Sequence, residues 1–116
     1  MKIKEQIEFP EFLEIQKKLD IQIGQIVGVE RIPKSDKMLK LLVIFGADEE
    51  DEKTVVTNIG SKFSEDDLLG LTFPFIVNLK PSKIMGVVSE AMIMVTSFDG
   101  DDEIFLEFNR IGSKLL

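Results

Sequence analysis

From residue 20 the chain alternates with a period of two. Ile21, Ile23, Val27 and Val29 share one parity, while Gln22, Gly24, Gly28 and Glu30 hold most of the other. Successive side chains of a strand point to opposite faces, so this pattern predicts a long half-buried β-strand. Two glycines inside the run mark places where such a strand bends or bulges. A strand bent in this way can curl a small sheet toward a barrel, and the rest of the chain supplies partners for it.

Leu39, Leu41, Val43 and Phe45 mark a second strand ended by Gly46, with Lys40 on the outward parity. Between the two, RIPKSDK reads as a loop: Pro33 cannot donate to a ladder, and Ser35-Asp36 can form local side-chain turns. Thr54 to Ile59 form a third strand. Ser64 followed by Glu65, Asp66 and Asp67 resembles a capping box, and Gly70 is a fitting stop, so one helical turn is expected there. Phe73, Phe75, Val77 and Leu79 give a fourth strand, in which Pro74 implies an edge or a bulge. A fifth runs from about Ala91 to Thr96. Asp99-Gly100 is a hairpin signal, and Ile104, Leu106 and Phe108 alternate beyond it.

Five curled antiparallel strands with a helical turn between the third and fourth make an all-β OB-fold barrel. Ahead of it, Phe12, Ile15 and Leu19 recur at helical spacing behind Pro10, with acids early and lysines late. A helix this short is marginal alone, so its apolar stripe must dock on the barrel or on another subunit. The expected organisation is an arm and helix over 1–19, the barrel over 20–96, and a C-terminal extension over 97–116 that contributes to a dimer contact.

The absences narrow the chemistry. With 116 residues, no His and no Cys, the chain is one domain without a Ser-His-Asp arrangement, a thiolate nucleophile or an N/S zinc site. Neither an EF-hand loop nor a glycine-rich nucleotide loop is present, so no metal, cofactor or catalytic residue is expected. A binding module fits better than an enzyme. No apolar run approaches a membrane span and the N-terminus lacks a signal-peptide core, so a cytoplasmic location without membrane contact is expected.

The net charge of −7 would repel phosphate, yet its distribution is uneven. Residues 47–52, 64–67 and 99–103 hold five, three and four acids, while 31–46 hold Arg31, Lys34, Lys37 and Lys40 against Asp36. All nine aromatics are Phe. Phe45, Phe73, Phe75, Phe105 and Phe108 fall mostly on core parities, and Phe63 beside Lys62 suits either core packing or base stacking.

Residues 78–95, NLKPSKIMGVVSEAMIMV, carry the sharpest signal. Pro81 stiffens a corner that presents Lys80 and Lys83 with an amide and a serine between two apolar strands, which is chemistry suited to phosphate or ribose. This stretch, with LDIQIGQIVGVERIP at 19–33 and SDKMLKL at 35–41, resembles the tRNA-binding domain found at the C-terminus of methionyl-tRNA synthetases. The same domain occurs in endothelial monocyte-activating polypeptide and in stand-alone bacterial tRNA-binding proteins.

The resemblance implies an OB-fold that recognises tRNA by shape through backbone contacts, without catalysis. It also implies a homodimer or a subunit that partners an aminoacyl-tRNA synthetase. Carried over by motif, it implies contacts from Ser35, Lys37, Lys40, Lys80, Lys83 and Ser89, with Asn78 and Met92 shaping the site. The chain departs from the family pattern at Gln22, where Arg is usual, at Asn58, where Gly ends the third strand, and at Ala91. A related branch, a homodimeric export chaperone that binds unfolded polypeptide, is the alternative.

Overall fold

The computed structural model describes residues 2–46 and 51–95. Helix α1 (Phe9–Lys18) precedes β1 (Ile21–Arg31), β2 (Leu39–Ile44) and β3 (Glu52–Thr57). Helix α2 (Glu65–Leu68), β4 (Thr72–Ile76), β5 (Ser82–Ile84), β6 (Val87–Ser89) and β7 (Met92–Ile93) follow. β3, β2, β1, β4 and β7 make one five-stranded antiparallel sheet in that order, and β5 pairs with β6 as a separate hairpin.

The alternation in the sequence is realised as burial. Leu39, Leu41 and Val43 are fully buried while Lys40, Leu42 and Ile44 face outward between them. Inside the curled sheet, Ile26, Val55, Leu68, Phe73, Phe75 and Ile93 join them in one core, where the rings of Phe45 and Phe75 meet edge to face at 5.4 Å and 82°. That tilted geometry suits the aromatic quadrupole. Both glycines of β1 have physical work. The register of β1 on β2 slips between Ile26 and Gly28, a β-bulge that increases the bend. A Cβ on Gly24 would stand 2.6 Å from Val43 Cγ1 and 2.7 Å from the Phe45 ring, so only glycine fits without movement.

Three features depart from expectation. The strand with Pro74 is not an edge, because β4 lies between β1 and β7. Pro74 accepts from the Met94 N–H at 2.9 Å on the β7 side, so its missing donor faces the end of a strand only two residues long. The fifth barrel strand is shorter than expected, and the hairpin β5–β6 occupies residues that otherwise read as a basic turn; Met85 (φ 50°) and Gly86 (φ 83°) form its reversal. Finally, α1 buries none of its residues, leaving Phe9, Phe12, Ile15 and Leu19 exposed. Its stripe therefore does not dock on the barrel. Residues 97–116, including the expected Asp99-Gly100 hairpin and C-terminal strand, lie outside the described residues, as do 47–50 of the acidic loop.

β3 and β7 approach each other, and the joint between β6 and β7 closes the gap. The Ser89 hydroxyl accepts from Val56 N–H at 2.9 Å and donates to the Ala91 carbonyl at 3.2 Å. Glu90 donates its N–H to the Thr54 carbonyl at 2.8 Å and accepts the Thr54 N–H on its carboxylate at 3.3 Å. A sheet edge that would otherwise leave N–H groups unpaired is thereby sealed.

Candidate nucleic-acid interface

The loop from β1 to β2 is held from both sides. Within it, the Ser35 hydroxyl accepts from Met38 N–H at 3.1 Å and Lys37 N–H at 3.4 Å, the local turn expected of a serine there. From outside, Arg31 Nη1 donates to the Asp36 carbonyl at 2.8 Å and to the Gly60 carbonyl at 3.0 Å. Gly60 N–H in turn donates to the Lys37 carbonyl at 2.8 Å. The backbone that carries Lys37 is thus fixed.

At the other end of the sheet, Asn78 ties the start of β1 to the end of β4. Its carboxamide accepts the Asp20 N–H at 2.9 Å and donates to the Lys18 carbonyl. Beyond Asn78 the chain is exposed through Leu79 and Lys80 and then enters the hairpin.

Between these two places lies an open groove of about 750 Å³. Lys37 and Met38 line it from the loop, Asn58 from the end of β3, and Leu79 and Lys80 from the segment after β4; Met92 and Met94 add apolar surface. Two of the expected lysines, separated by 43 positions in sequence (80 minus 37), therefore share one concavity. No carboxylate lines the groove among the described residues, although the chain carries 21 acids against 14 basic residues.

The other expected residues are placed differently. Lys40 pairs in register with Glu30 on the outward face of β2 and lines a second hollow of about 330 Å³ with Gly28, Val29 and Leu42. Lys83 alternates with Ser82 and Ile84, both of which line the main groove, so it stands on the opposite side of the hairpin beside Val88. Met92 is more than half exposed in the groove, whereas Ser89 is 8% exposed with its hydroxyl engaged in the barrel seam. Gln22 donates to the Asp20 carboxylate at 3.3 Å.

Sequence reasoning counted Arg31 among the available cations, but its guanidinium is spent on Glu65 and two carbonyls. It also missed Asn58 as a lining residue. Phe63 packs against the core rather than standing as an open stacking platform. Among the described residues, no cluster of acids could hold a metal ion, and no helix is long and apolar enough to cross a membrane.

Comparisons with known proteins bear on the family and the fold. The model of the family described as "Putative tRNA binding domain" matches residues 21–112. The methionine–tRNA ligase of Parabacteroides distasonis is 37% identical over 99 residues, covering 84% of this chain but 14% of that enzyme. The chain thus spans about one-seventh of the length of such curated relatives. Among solved structures, a MetRS-related protein from Pyrococcus horikoshii superposes with a TM-score of 0.78 at 28% identity, covering 97% of this chain and 99% of that one. The chaperone CsaA of Bacillus anthracis superposes at 0.74 with 25% identity, covering 97% and 100%. A barrel of this topology, with a family match across nearly all of it, places the chain in the tRNA-binding domain family.

Proposed function

We propose that this chain is a non-catalytic, cytoplasmic tRNA-binding protein that recognises the shape of tRNA through its backbone. It acts alone or beside an aminoacyl-tRNA synthetase. The observation that carries this reading is the groove itself: Lys37 and Lys80 face it from two fixed segments, and no described carboxylate opposes them. Phosphate affinity comes from such cations, and acidic surroundings steer an anion toward a face that lacks described carboxylates. Lys40 and Lys83 extend the footprint beyond the groove, while Asn78 and Ser89 hold its walls.

The uncovered face of α1, with Phe9, Phe12 and Ile15 exposed, supports a homodimer, because contiguous apolar surface of this kind is usually covered in solution. A mass near that of one 13.1 kDa chain by light scattering at micromolar concentration would count against it.

One observation favours a second reading. Leu79, Met92 and Met94 give the groove an adaptable apolar floor, and the likeness to a CsaA chaperone is nearly as close as that to the MetRS-related protein. Such a floor suits an unfolded polypeptide. A gel shift with bulk tRNA, random-coil RNA, duplex DNA and an unfolded polypeptide separates the readings. Preference for tRNA over random-coil RNA at matched charge supports shape recognition; retention of the polypeptide alone supports the chaperone.

A further inference from the structure

Sulfur in this chain is thioether only: there are five Met and no Cys. Four of the methionines are described, and three of them, Met38, Met92 and Met94, line the groove shared by Lys37 and Lys80. The strand period accounts for two of the three. Ile93 is 6% exposed and belongs to the core, so Met92 and Met94 on the other parity stand outward, 55% and 38% exposed. Their backbone is held in place, since Met92 pairs in register with Ile76 and Met94 N–H donates to the Pro74 carbonyl at 2.9 Å. The fourth, Met85, is 52% exposed at the hairpin reversal and does not line the groove.

Exposed thioethers are open to peroxides, and a chain without a thiol has no more reactive sulfur to take the oxidant first. A lone pair on Sδ attacks one oxygen of hydrogen peroxide and the O–O bond breaks. The proton of the attacked oxygen passes to the departing hydroxide, which leaves as water. The sulfur is oxidised by two electrons to the sulfoxide, and the peroxide is reduced by the same two. An apolar, adaptable side chain thereby becomes polar and chiral. The groove gives that change a consequence. It holds two lysine ammonium groups and no described carboxylate, so a sulfoxide oxygen there competes with phosphate for Lys37 and Lys80. The thioether surface against which the ring faces of an RNA would pack is lost at the same time.

We propose that Met92 and Met94 form an oxidation site at which hydrogen peroxide produces sulfoxides that weaken RNA binding in the groove. This rests on the tRNA-binding reading and adds a reversible control to it, because methionine sulfoxide reductases return the sulfoxide to the thioether. Met85 undergoes the same chemistry without the same effect, since it lies outside the groove.

The test is fluorescence anisotropy with labelled bulk tRNA before and after hydrogen peroxide, with sulfoxides located by peptide mass spectrometry. The oxidised wild-type chain should bind about 2- to 10-fold more weakly, the range that loss of a thioether–aromatic contact gives. Reductases specific for the two sulfoxide epimers should restore the affinity. Met92→Leu/Met94→Leu should bind like the reduced wild type and keep its affinity after peroxide, whereas Met85→Leu should lose affinity as the wild type does. Met92→Gln, which places an amide oxygen where the sulfoxide oxygen would stand, should bind weakly with no peroxide added. That variant also provides the test if the double leucine substitution perturbs folding. Unchanged affinity when Met92 and Met94 carry sulfoxides would overturn the proposal. So would a loss that persists in Met92→Leu/Met94→Leu, full conversion of Met85 with Met92 and Met94 untouched, or wild-type affinity in Met92→Gln. Failure of the reduced wild-type chain to bind tRNA would instead remove the tRNA-binding reading.

Discussion

Arg31 and Glu65 meet at two points across 34 positions of sequence: Nη2 lies 2.7 Å and Nε 2.9 Å from the same carboxylate oxygen. Because Arg31 Nη1 also holds the Asp36 and Gly60 carbonyls, one side chain joins the end of β1, the lysine-bearing loop, the turn after β3 and helix α2. The planar guanidinium suits this role, for its donors are fixed in a fork that an ammonium cannot reproduce. The arginine's charge is engaged within the scaffold.

Arg31→Gln should therefore destabilise the fold by about 1–2 kcal/mol in urea denaturation, chiefly through the lost bonds to the two carbonyls. Glu65→Gln should cost only ~0–1 kcal/mol, because the pair is 35% and 45% exposed and screened by water. Equal losses would show that the ion pair, not the carbonyl bridge, is the larger contributor.

Ser89→Ala tests the barrel seam. The Val56 N–H would lose its acceptor in a buried position, a loss worth about 1–3 kcal/mol, and hydrogen exchange at that amide should accelerate. Affinity for tRNA per folded molecule should hold. Were the hydroxyl a direct RNA contact, affinity would fall while stability stayed constant.

Helix α2 carries a pH signature. The Asp67 carboxylate accepts the Ser64 N–H at 2.9 Å while the Ser64 hydroxyl accepts the Asp67 N–H at 3.3 Å. Donation from the Ser64 backbone N–H, and then the Ser64 hydroxyl beside the carboxylate, hold the Asp67 carboxyl below the usual aspartate range. A depressed folded value contributes stability above the unfolded value and loses it as pH falls through the folded one. The effect is thus confined below about pH 4. Asp67→Asn should make the acid limb of Tm against pH shallower without altering its slope between pH 5 and 8.

Much of the fold was legible because core parity and strand period coincide in Leu39–Phe45, and because Gly28 and Gly24 sit where the strand bulges and where Val43 crowds it. The hairpin of β5 and β6 was not, since three-residue strands are too short for a period to show, and its reversal uses Met85 at positive φ, which sequence does not advertise. The site was legible in part. Motifs located Lys37 and Lys80, but sequence records charge and not its partner, so Arg31 looked available and the seam role of Ser89 was invisible. The period of two placed Lys40 outward without saying that Glu30 lies across from it.

That last pairing makes the lysines unequal. Lys37 and Lys80 line a groove free of described carboxylates, so each should contribute close to a full charge to phosphate binding. Lys40 stands opposite Glu30, and a cross-strand acid lowers the local potential that a phosphate meets. Lys83 points to the far side of its hairpin and can reach only RNA that wraps around it. In salt titrations of tRNA binding, Lys37→Glu and Lys80→Glu should each flatten the log K against log salt slope by about one unit or more. Lys40→Glu and Lys83→Glu should have smaller effects, and Lys53→Glu, beside the acidic loop on β3, little effect. None should lower stability by more than ~1 kcal/mol, because exposed charges contribute little to folding. If Lys37→Glu and Lys53→Glu gave the same affinity and slope, net charge alone would govern binding. The groove would then be a feature of the fold without a part in recognition.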